Sequence, residues 1–423
     1  MSQFETPSTC TPPVLLSLAD CGIPIPVLED LLLKHLHVPG LAEIEQLSVQ
    51  LRIPSALVEE LAQSLEEAGY AALDRAAGRV AMTVPGRRRA CEAFASSRYL
   101  GPVPVSLAQY QDQCRTQRWD GAGITVEELQ TALSGVTLDE TTNSQLQLAI
   151  SRGGSLLLTG RSGNGKSLVA DRLGQMLEQS SEEVHVPYAV WLTDGILRIF
   201  DPTVHHPIDE SNSRDDERDG RWRRIRRPVI RTSFELTRQS FDVAALPAET
   251  WLAPFHVLAN GGMLIIDDLG RQPGPMSELL NRWQNTLEQQ TDSVLLPSGR
   301  RLTLPTDAWV IFVVGEDAPA LPAPILRRIR SQVELPEPDR ERFATLLLEQ
   351  GRRSRIEVDE AGVEELFTHC YSPQNPPKCS DPENLLQTVE SLCRIQKETV
   401  RARADLLLAA ARRLGLDRER RAA

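Results

Sequence analysis

A glycine-rich segment between an apolar strand and an amphipathic helix constrains the fold of this 423-residue chain more than any other feature. The segment GRSGNGKS follows the apolar run Leu156 to Leu158 and precedes SLVADRLGQML. Glycines here let backbone amides face phosphate oxygens, and the N-terminus of the following helix adds positive potential. The pattern predicts a phosphate-binding loop in an α/β fold. Its predicted ligand-holding residues are Gly160, Arg161, Ser162, Gly163, Asn164, Gly165, Lys166 and Ser167.

Two residues of this loop have specific predicted roles toward ATP, the expected ligand. Lys166 bridges the β- and γ-phosphates, and the Ser167 hydroxyl coordinates Mg²⁺. The alternative is a glycine-rich turn without a ligand, but the strand and the helix that the motif requires both flank the segment. We therefore expect ATP and Mg²⁺ as cofactors.

A second constellation is a pair of consecutive carboxylates at the end of a buried strand, in GGMLIIDDLG. The apolar run Met263 to Ile266 predicts a strand of a parallel sheet, and nucleotide sites lie at the carboxyl edge of such sheets. We expect Asp267 to ligate Mg²⁺ directly or through water. Asp268 stands where the residue that polarises the attacking water is expected, often a longer glutamate. A strand-end turn with helix-capping acids is the alternative.

Two consecutive arginines follow the next apolar strand. After AWVIFVVG the chain reads APILRRIRSQVELPEPDRE, which predicts Arg327 and Arg328 at the end of a helix that leads to another strand. An arginine there reaches the γ-phosphate bound by a neighbouring subunit, so it stabilises the transferring phosphoryl group only in an assembly. Surface arginines without a catalytic role are the alternative.

Residues 1–100 predict a winged-helix-like α+β domain, because three short amphipathic helices precede an alternating stretch. Pro54 and Ser55 open the third helix, and the Ala77-Gly78 turn joins the two strands of the stretch YAALDRAAGRVAMTV. The third helix has no Lys or Arg and carries four glutamates: Glu59, Glu60, Glu66 and Glu67. A protein partner or a structural role is therefore favoured over DNA binding.

Three further regions complete the predicted organisation. Residues 101–124 combine Pro, Gly and polar residues, which predicts a connector rather than a packed core. Residues 125–338 alternate β and α signals, which predicts a nucleotide-binding core with a parallel sheet flanked by helices. Residues 339–423 predict a helical lid and C-terminal helices.

Composition limits the classes of partner and the compartment. The formal net charge of -12 disfavours non-specific binding to nucleic acid. Seven cysteines, odd in number and scattered, indicate reduced thiols in a cytoplasmic protein. The start MSQFETPSTCTPP lacks the features of a secretion signal, and no stretch is long and apolar enough to predict a membrane span.

The loop, the aspartate pair, the LRRI arginines and the C-terminal helices together resemble an AAA+ P-loop ATPase. More narrowly, PYAVWLTDGILRIFDPTVHHP, RWRRIRRPVI and ANGGMLIIDDLGRQ resemble a bacterial AAA+ family with an N-terminal winged-helix-like region. The wider resemblance implies a homo-oligomeric ring, most often a hexamer, that uses ATP hydrolysis to remodel a macromolecular partner. The narrower one implies no particular substrate.

Two positions depart from the pattern that this resemblance implies. Gly315 stands where the third strand would end in a polar sensor of the γ-phosphate, with Glu316 or Asp317 as substitutes, and Glu383 replaces a sensor arginine. We therefore expect weak or partner-stimulated hydrolysis. Two alternatives stay open beside the ring ATPase: a nucleotide-gated assembly switch with weak hydrolysis, and an ATP-dependent DNA-binding regulator.

The basic segment RWRRIRR, residues 221–227, has no assigned role in this scheme. It suits an acidic partner, a neighbouring subunit or nucleic acid. The alternative is a solvated arm that balances the acids preceding it in the sequence.

Overall fold

The computed structural model of the chain describes residues 11–119, 121, 124–180, 182–208, 218–246 and 250–416. The chain divides into two compact units. The first consists of Met1–Asp120, Leu177–Leu264 and Pro273–Val310. The second consists of Gly121–Met176, Ile265–Gln272 and Ile311–Ala423.

The strands are numbered in chain order. They are β1 Leu41–Glu43, β2 Ala71–Asp74, β3 Arg79–Met82, β4 Val105–Ser106, β5 Ser155–Thr159, β6 Glu183–Pro187, β7 Ala189–Leu192, β8 Gly195–Arg198, β9 Trp222–Arg226, β10 Val229–Thr232, β11 Ala244–Leu246, β12 Thr250–Leu252, β13 Met263–Ile266, β14 Thr291–Leu295, β15 Arg301–Pro305, β16 Trp309–Val313, β17 Ser331–Glu334, β18 Glu357–Val358 and β19 Arg401–Ala402.

The α-helices are numbered in the same way. They are α1 Ile25–His37, α2 Ile44–Leu51, α3 Ser55–Glu67, α4 Val84–Ser96, α5 Leu107–Thr116, α6 Val126–Ala132, α7 Glu140–Arg152, α8 Lys166–Gln179, α9 Phe255–Leu258, α10 Met276–Gln289, α11 Ala323–Leu326, α12 Arg340–Ser354, α13 Ala361–His369, α14 Asp381–Gln396 and α15 Ala404–Arg413. Within the described ranges, no helix has the length and apolarity needed to cross a membrane.

The N-terminal part of the first unit has the α+β arrangement predicted from the sequence. Helices α1, α2 and α3 precede the β2–β3 hairpin, and β1 adds to it in the order β1-β3-β2. Helix α3 begins directly after Pro54, and Gly78 adopts a φ of 60° at the hairpin turn. The apolar faces of the helices bury a run of leucines, including Leu28, Leu47 and Leu61.

Two features of the first unit differ from the sequence-based expectation. The stretch predicted as a connector contains β4 and α5, whose Tyr110 and Cys114 are buried, so part of it is packed core. The region between β5 and β13 also forms additional sheets: a ribbon of β6 with β9, and a sheet in the order β11-β12-β8-β7-β4 in which β4 comes from the preceding stretch. These strands were expected within a single parallel sheet. Alternation predicts that a segment is a strand but does not identify the strand it pairs with.

A parallel five-stranded sheet follows the order β10-β13-β16-β5-β17. Within the second unit β17 pairs in parallel with β5, from Ser331 opposite Leu156 to Glu334 opposite Thr159. All five residues of β16 and all four of β13 are buried, as expected for strands covered on both faces. The predicted α/β fold class, a parallel sheet with flanking helices, is confirmed.

The C-terminal part of the second unit is helical, as predicted. Helices α12 to α15 enclose one apolar cluster that includes Phe343, Leu347, Leu366, Leu386 and Leu407. The short parallel pair β18 and β19 lies within the same region of the chain. Some residues of this helical region also lie beside the glycine-rich loop.

Candidate functional site

The glycine-rich loop joins β5 to α8, and its backbone is shaped by three glycines. Gly160, Gly163 and Gly165 have φ angles of 128°, 91° and 85°, a region that other residues adopt at a steric cost. Alternation of left- and right-handed conformations turns successive N–H groups toward one concavity, which binds anions. Helix α8 begins at Lys166 and runs for 14 residues, so its N-terminus adds positive potential at the same place.

Lys166 lies folded over this loop. Its Nζ donates hydrogen bonds to the carbonyl oxygens of Gly160 and Arg161, each at 2.8 Å. Burial lowers the pKa of Lys166, and the nearby carboxylates of Asp267, Asp268 and Glu316 oppose that shift. The ammonium group is thus held at the loop, and the protein's carboxylates compensate its positive charge only in part. A cation in this environment favours the binding of a phosphate.

Ser167 and Asp267 meet across 100 residues of sequence. The Ser167 Oγ donates to Asp267 Oδ1 at 3.0 Å, and the Asp268 backbone N–H donates to the same oxygen at 2.9 Å. A hydroxyl and a carboxylate oxygen at this separation are both hard ligands of the kind that Mg²⁺ prefers, usually with water and phosphate oxygens completing the octahedron. The donor set beside the loop therefore fits a nucleotide-bound Mg²⁺.

Asp268 has an unusual backbone and a cationic neighbour. Its φ is 51°, a left-handed conformation that is uncommon outside glycine and that redirects the chain directly after β13. Its Oδ1 lies 3.6 Å from the Arg271 guanidinium, which also lies 3.6 Å from Asp317. Gln272 accepts from the Gly270 N–H and donates to the Asp268 carbonyl, at 2.8 and 3.1 Å. The turn is thus fixed by hydrogen bonds, and Arg271 is the neighbour that sequence reasoning did not identify.

Arg161 is held by acids rather than left free over the loop. Its Nε donates to Glu316 Oε2 at 2.7 Å and lies 3.5 Å from Glu337. Glu316 immediately follows Gly315, and an added Cβ on Gly315 would meet no atom within 4 Å. Glu316, one of the two acids expected to replace the sensor, is therefore paired with Arg161 of the loop. The sequence contains no local signal for this contact, because 155 residues separate the two partners.

A cavity of about 230 Å³ opens beside the loop. Gly163, Asn164 and Gly165 line one side, and α14 contributes Pro382 and Glu383. The Ser380 N–H donates to the Gly163 carbonyl at 3.0 Å, which ties the start of α14 to the loop. The structure thus brings Glu383 beside the loop, where the resemblance implies a sensor arginine, although the carboxylate is solvent-exposed and accepts from Gln387.

Two further residues of the loop complete the geometry. Asn164 is 3% exposed, its Nδ2 donates to the Leu335 carbonyl at 3.4 Å, and its Oδ1 has no partner in the described structure. Ser162, the remaining loop residue, is exposed at the tip between Arg161 and Gly163. Asn164 therefore anchors the loop to the end of β17, while Ser162 is accessible to a ligand.

Arg327 and Arg328 follow α11 directly, at the helix end predicted from the sequence. Arg327 is exposed, and Arg328, which is half-buried, donates from NH1 to the Pro324 carbonyl at 2.7 Å. Their order in the fold, α11 then the arginines then β17, matches the prediction. Their role toward a neighbouring subunit stays a prediction.

No protein-family model matches this sequence, and no curated protein sequence matches it. Solved structures that are similar to it include a mutant of RuvB from Thermotoga maritima, which is 13% identical, has a TM-score of 0.38 and covers 70% of this chain and 72% of that chain. NtrX from Brucella abortus is 15% identical and has a TM-score of 0.40. The match covers 66% of this chain and 58% of the NtrX chain.

Another Thermotoga maritima RuvB structure, described as a Holliday junction branch migration motor, is 13% identical with a TM-score of 0.35. It covers 73% of this chain and 72% of that chain. The fold of the present chain is established by its own strand order, by the loop between β5 and α8, and by the helical C-terminal region. That fold, a parallel sheet with flanking helices, is the α/β fold expected from the sequence.

Proposed function

We propose that this chain binds Mg-ATP at the loop Gly160–Ser167 and hydrolyses it. The observation that carries the proposal is the 3.0 Å approach of Ser167 Oγ to Asp267 Oδ1, immediately after a lysine folded over a glycine-rich loop. A phosphate cradle, a cation and two adjacent hard oxygen ligands are the parts that phosphoryl transfer from ATP requires. Their meeting at one edge of a parallel sheet supports ATP over other anions.

Each residue of the site has a proposed task. Bound Mg²⁺ would neutralise charge on the phosphate oxygens. Ser167 and Asp267 hold it, and Lys166 leaves its two carbonyl partners to contact the β- and γ-phosphates. Asp268 accepts a proton from the attacking water or orients it, which requires its carboxylate to exchange the Arg271 contact for the water. Catalysis then consists mainly of positioning and charge stabilisation.

Replacing the aspartate ligand tests the metal assignment. Asp267→Asn removes the charge that holds Mg²⁺, so we expect ATP affinity in the presence of Mg²⁺ to fall to the level seen with EDTA, a loss of about tenfold or more. Calorimetric titration with and without Mg²⁺ measures it. Asp317→Asn, which alters an exposed carboxylate of the same region, serves as the control and retains the metal dependence. A variant Asp267→Asn that keeps the full magnesium response contradicts the assignment.

We further propose a homo-oligomeric ring in which Arg327 or Arg328 acts on ATP bound by the neighbouring subunit. The exposure of Arg327 at the end of α11 is compatible with such a contact. Arg327→Ala with Arg328→Ala leaves ATP binding intact and lowers turnover about 10³-fold, as loss of an arginine finger does. Mixing that variant with Asp268→Asn subunits restores part of the turnover, because some interfaces regain both groups.

If mass measurement shows that both variants are assembled and the mixture still regains no turnover, the proposal of an active site shared between subunits is contradicted. Loss of ATP binding in the arginine variant contradicts it as well, since a trans arginine acts on turnover. A wild-type chain that stays monomeric with ATP at all concentrations contradicts the ring itself.

A protein is the proposed macromolecular partner, selected by the N-terminal winged-helix-like domain. Glu59, Glu60 and Glu67 are solvent-exposed on α3, the helix that would have to enter a DNA groove. Their charge would repel phosphates, as does the net charge of the chain. Salt-sensitive binding of duplex DNA by the full chain would instead support the DNA-binding regulator.

A nucleotide-gated switch with weak hydrolysis is the second candidate, favoured by specific contacts. The Asp268 carboxylate lies beside Arg271, Glu316 pairs with Arg161, and Glu383 lines the cavity where a cation would aid turnover. Such a protein would assemble on ATP and turn it over slowly. Robust turnover by the purified wild-type chain, abolished by Asp268→Asn, would rule this candidate out.

A further inference from the structure

The basic segment, residues 221–227, forms part of a second polar cavity in the first unit. Strand β9 pairs antiparallel with β6, with His185 opposite Arg224 and Pro187 opposite Trp222. Directly opposed residues point to the same face of a ribbon, so His185, Trp222 and Arg224 share one face. Val184 and Ile225, both fully buried, lie on the opposite face together with Arg223. The segment is therefore a structured strand and not a solvated arm, while one of the acids that precede it, Asp219, does pair with Arg221.

A cavity of about 580 Å³ lies over this face, and we refer to it as the cationic pocket. Besides the ribbon residues, it is lined by Arg52 at the end of α2, by Arg218 and by Tyr188. The Arg52 guanidinium lies 6.0 Å from the centre of the Tyr188 ring. Three arginines from two segments, the end of α2 and the stretch 218–224, thus line one concavity, whose volume is within the usual range of small-molecule sites, about 300–1,000 Å³.

The carboxylates that line the cationic pocket are already engaged. Asp219 accepts from Arg221 Nε, NH2 and backbone N–H at 2.7 to 3.1 Å, and Arg221 is fully buried. Glu45 accepts from Ser55 Oγ at 3.0 Å. Arg224 lies 3.3 Å from Glu183, an acid outside the lining of the pocket. Among the described residues of the lining, three arginines stand against two carboxylates, and one of these, Asp219, is neutralised by Arg221, so positive charge predominates there.

His185, one of the residues that line the pocket, carries a buried nitrogen without a partner among the described residues. His185 is 6% exposed, and its Nε2 makes no hydrogen bond within the described part of the chain. Burial, together with the charges of Arg218 and Arg224, lowers the pKa of His185 to about 4, so the ring is neutral at pH 7. A buried polar atom without a partner costs about 1–3 kcal/mol, and a ligand that accepts a hydrogen bond from Nε2 would remove that cost.

The start of α3 adds to this environment. Pro54 and Ser55 line the cationic pocket, and the N-cap is a proline, whose side chain cannot accept from the first helical amides. The N-terminus of a 13-residue helix favours an anion. The pocket also offers aromatic surface from Tyr188 and Trp222 beside its cations.

We propose that the cationic pocket binds a small phosphate monoester that carries a planar ring. The arginines and the α3 N-terminus contact the phosphate, His185 Nε2 donates to it, and the Tyr188 and Trp222 side chains contact the ring. A concave site of this size suits a small molecule better than the extended backbone of a nucleic acid. The inference concerns a site in the first unit and does not rest on the proposed ATPase activity.

The probe for this test is AMP, titrated calorimetrically into the full wild-type chain and into the Lys166→Gln chain. Both chains bind AMP with similar affinity, because Lys166 belongs to the other unit. Arg52→Gln lowers the affinity about tenfold, and Arg52→Gln with Arg218→Gln about 100-fold, as expected for charge-assisted hydrogen bonds. Arg223→Gln is the matched control: its position on β9 alternates with Arg224, so it leaves AMP affinity unchanged.

Further ligands identify which part of AMP is recognised. Ribose 5-phosphate binds about tenfold more weakly than AMP, since it lacks the planar base, and adenosine does not compete. Thermal unfolding confirms that each variant is folded; His185→Gln provides a second variant if an arginine change disrupts folding. The proposal is overturned by no AMP binding to either chain, by equal loss in Arg223→Gln, or by tighter binding of a glutamate-rich peptide than of AMP.

Discussion

Lys166→Gln is expected to lower ATP affinity about 100-fold, because two or more charge-assisted hydrogen bonds to phosphate oxygens are lost. The folded state should tolerate the change. Glutamine retains donors for the Gly160 and Arg161 carbonyls that Lys166 contacts. Burial lowers the pKa of Lys166, which means that the charged form is costly to bury, so removing the charge relieves a desolvation cost. Calorimetric titration with Mg-ATP measures affinity, and thermal unfolding without nucleotide measures stability.

Lys397→Gln is the control for that experiment. Lys397 is exposed and has a φ of 58° at the end of α14, so its replacement changes the net charge equally without altering the loop. We expect ATP affinity to stay at the wild-type level. Equal affinity of the Lys166→Gln and wild-type chains for Mg-ATP would place the nucleotide elsewhere.

Asp268→Asn is expected to lower the rate of ATP hydrolysis about 10²-fold or more while ATP affinity changes by less than about threefold. Asparagine fills nearly the same volume but cannot accept a proton from water at neutral pH. Single-turnover and steady-state phosphate release measure the rate, and titration measures affinity.

The matched control for the Asp268 prediction is Asp317→Asn. Both carboxylates lie 3.6 Å from Arg271, so each change removes one partner of that guanidinium. Only Asp268 directly follows Asp267 at the end of β13. A loss of turnover as large in Asp317→Asn would show that the contact with Arg271, or a sensor role of Asp317, sets the rate rather than proton acceptance by Asp268.

The loop and the meeting of Ser167 with Asp267 beside it were predictable because their geometry is set locally and by sheet topology. The glycines, the preceding strand and the following helix are contiguous in sequence, so their mutual arrangement follows from short-range rules. Ser167 and Asp267 are 100 residues apart, yet each follows the end of a strand in the same parallel sheet. Carboxyl ends of parallel strands share one edge, which brings such residues together.

The electrostatic neighbours of the site were not predictable. The pairs Arg161 with Glu316 and Arg271 with Asp268 depend on side-chain directions that residue spacing does not specify. Charged residues are frequent in this chain, and each arginine has many possible partners along it. The structure was required to show that the acid after Gly315 pairs with the loop.

The additional strands between β5 and β13 were missed for a different reason. Short alternating segments such as β7 and β8 have the same pattern in a parallel sheet and in an antiparallel hairpin. In the basic segment, the burial of Arg221 depends on Asp219 two residues away and on the carbonyls of Cys21 and Pro104. Charge alone predicts exposure, and only the long-range contacts show otherwise.

Calorimetric titration of the full wild-type chain with ATP, in matched buffers containing Mg²⁺ or EDTA, tests the central claim most directly. The Gly160–Ser167 loop with Asp267 predicts saturable binding of about one ATP per chain that is tightened by Mg²⁺. An absence of saturable binding in Mg²⁺, by a chain shown to be folded, would contradict it.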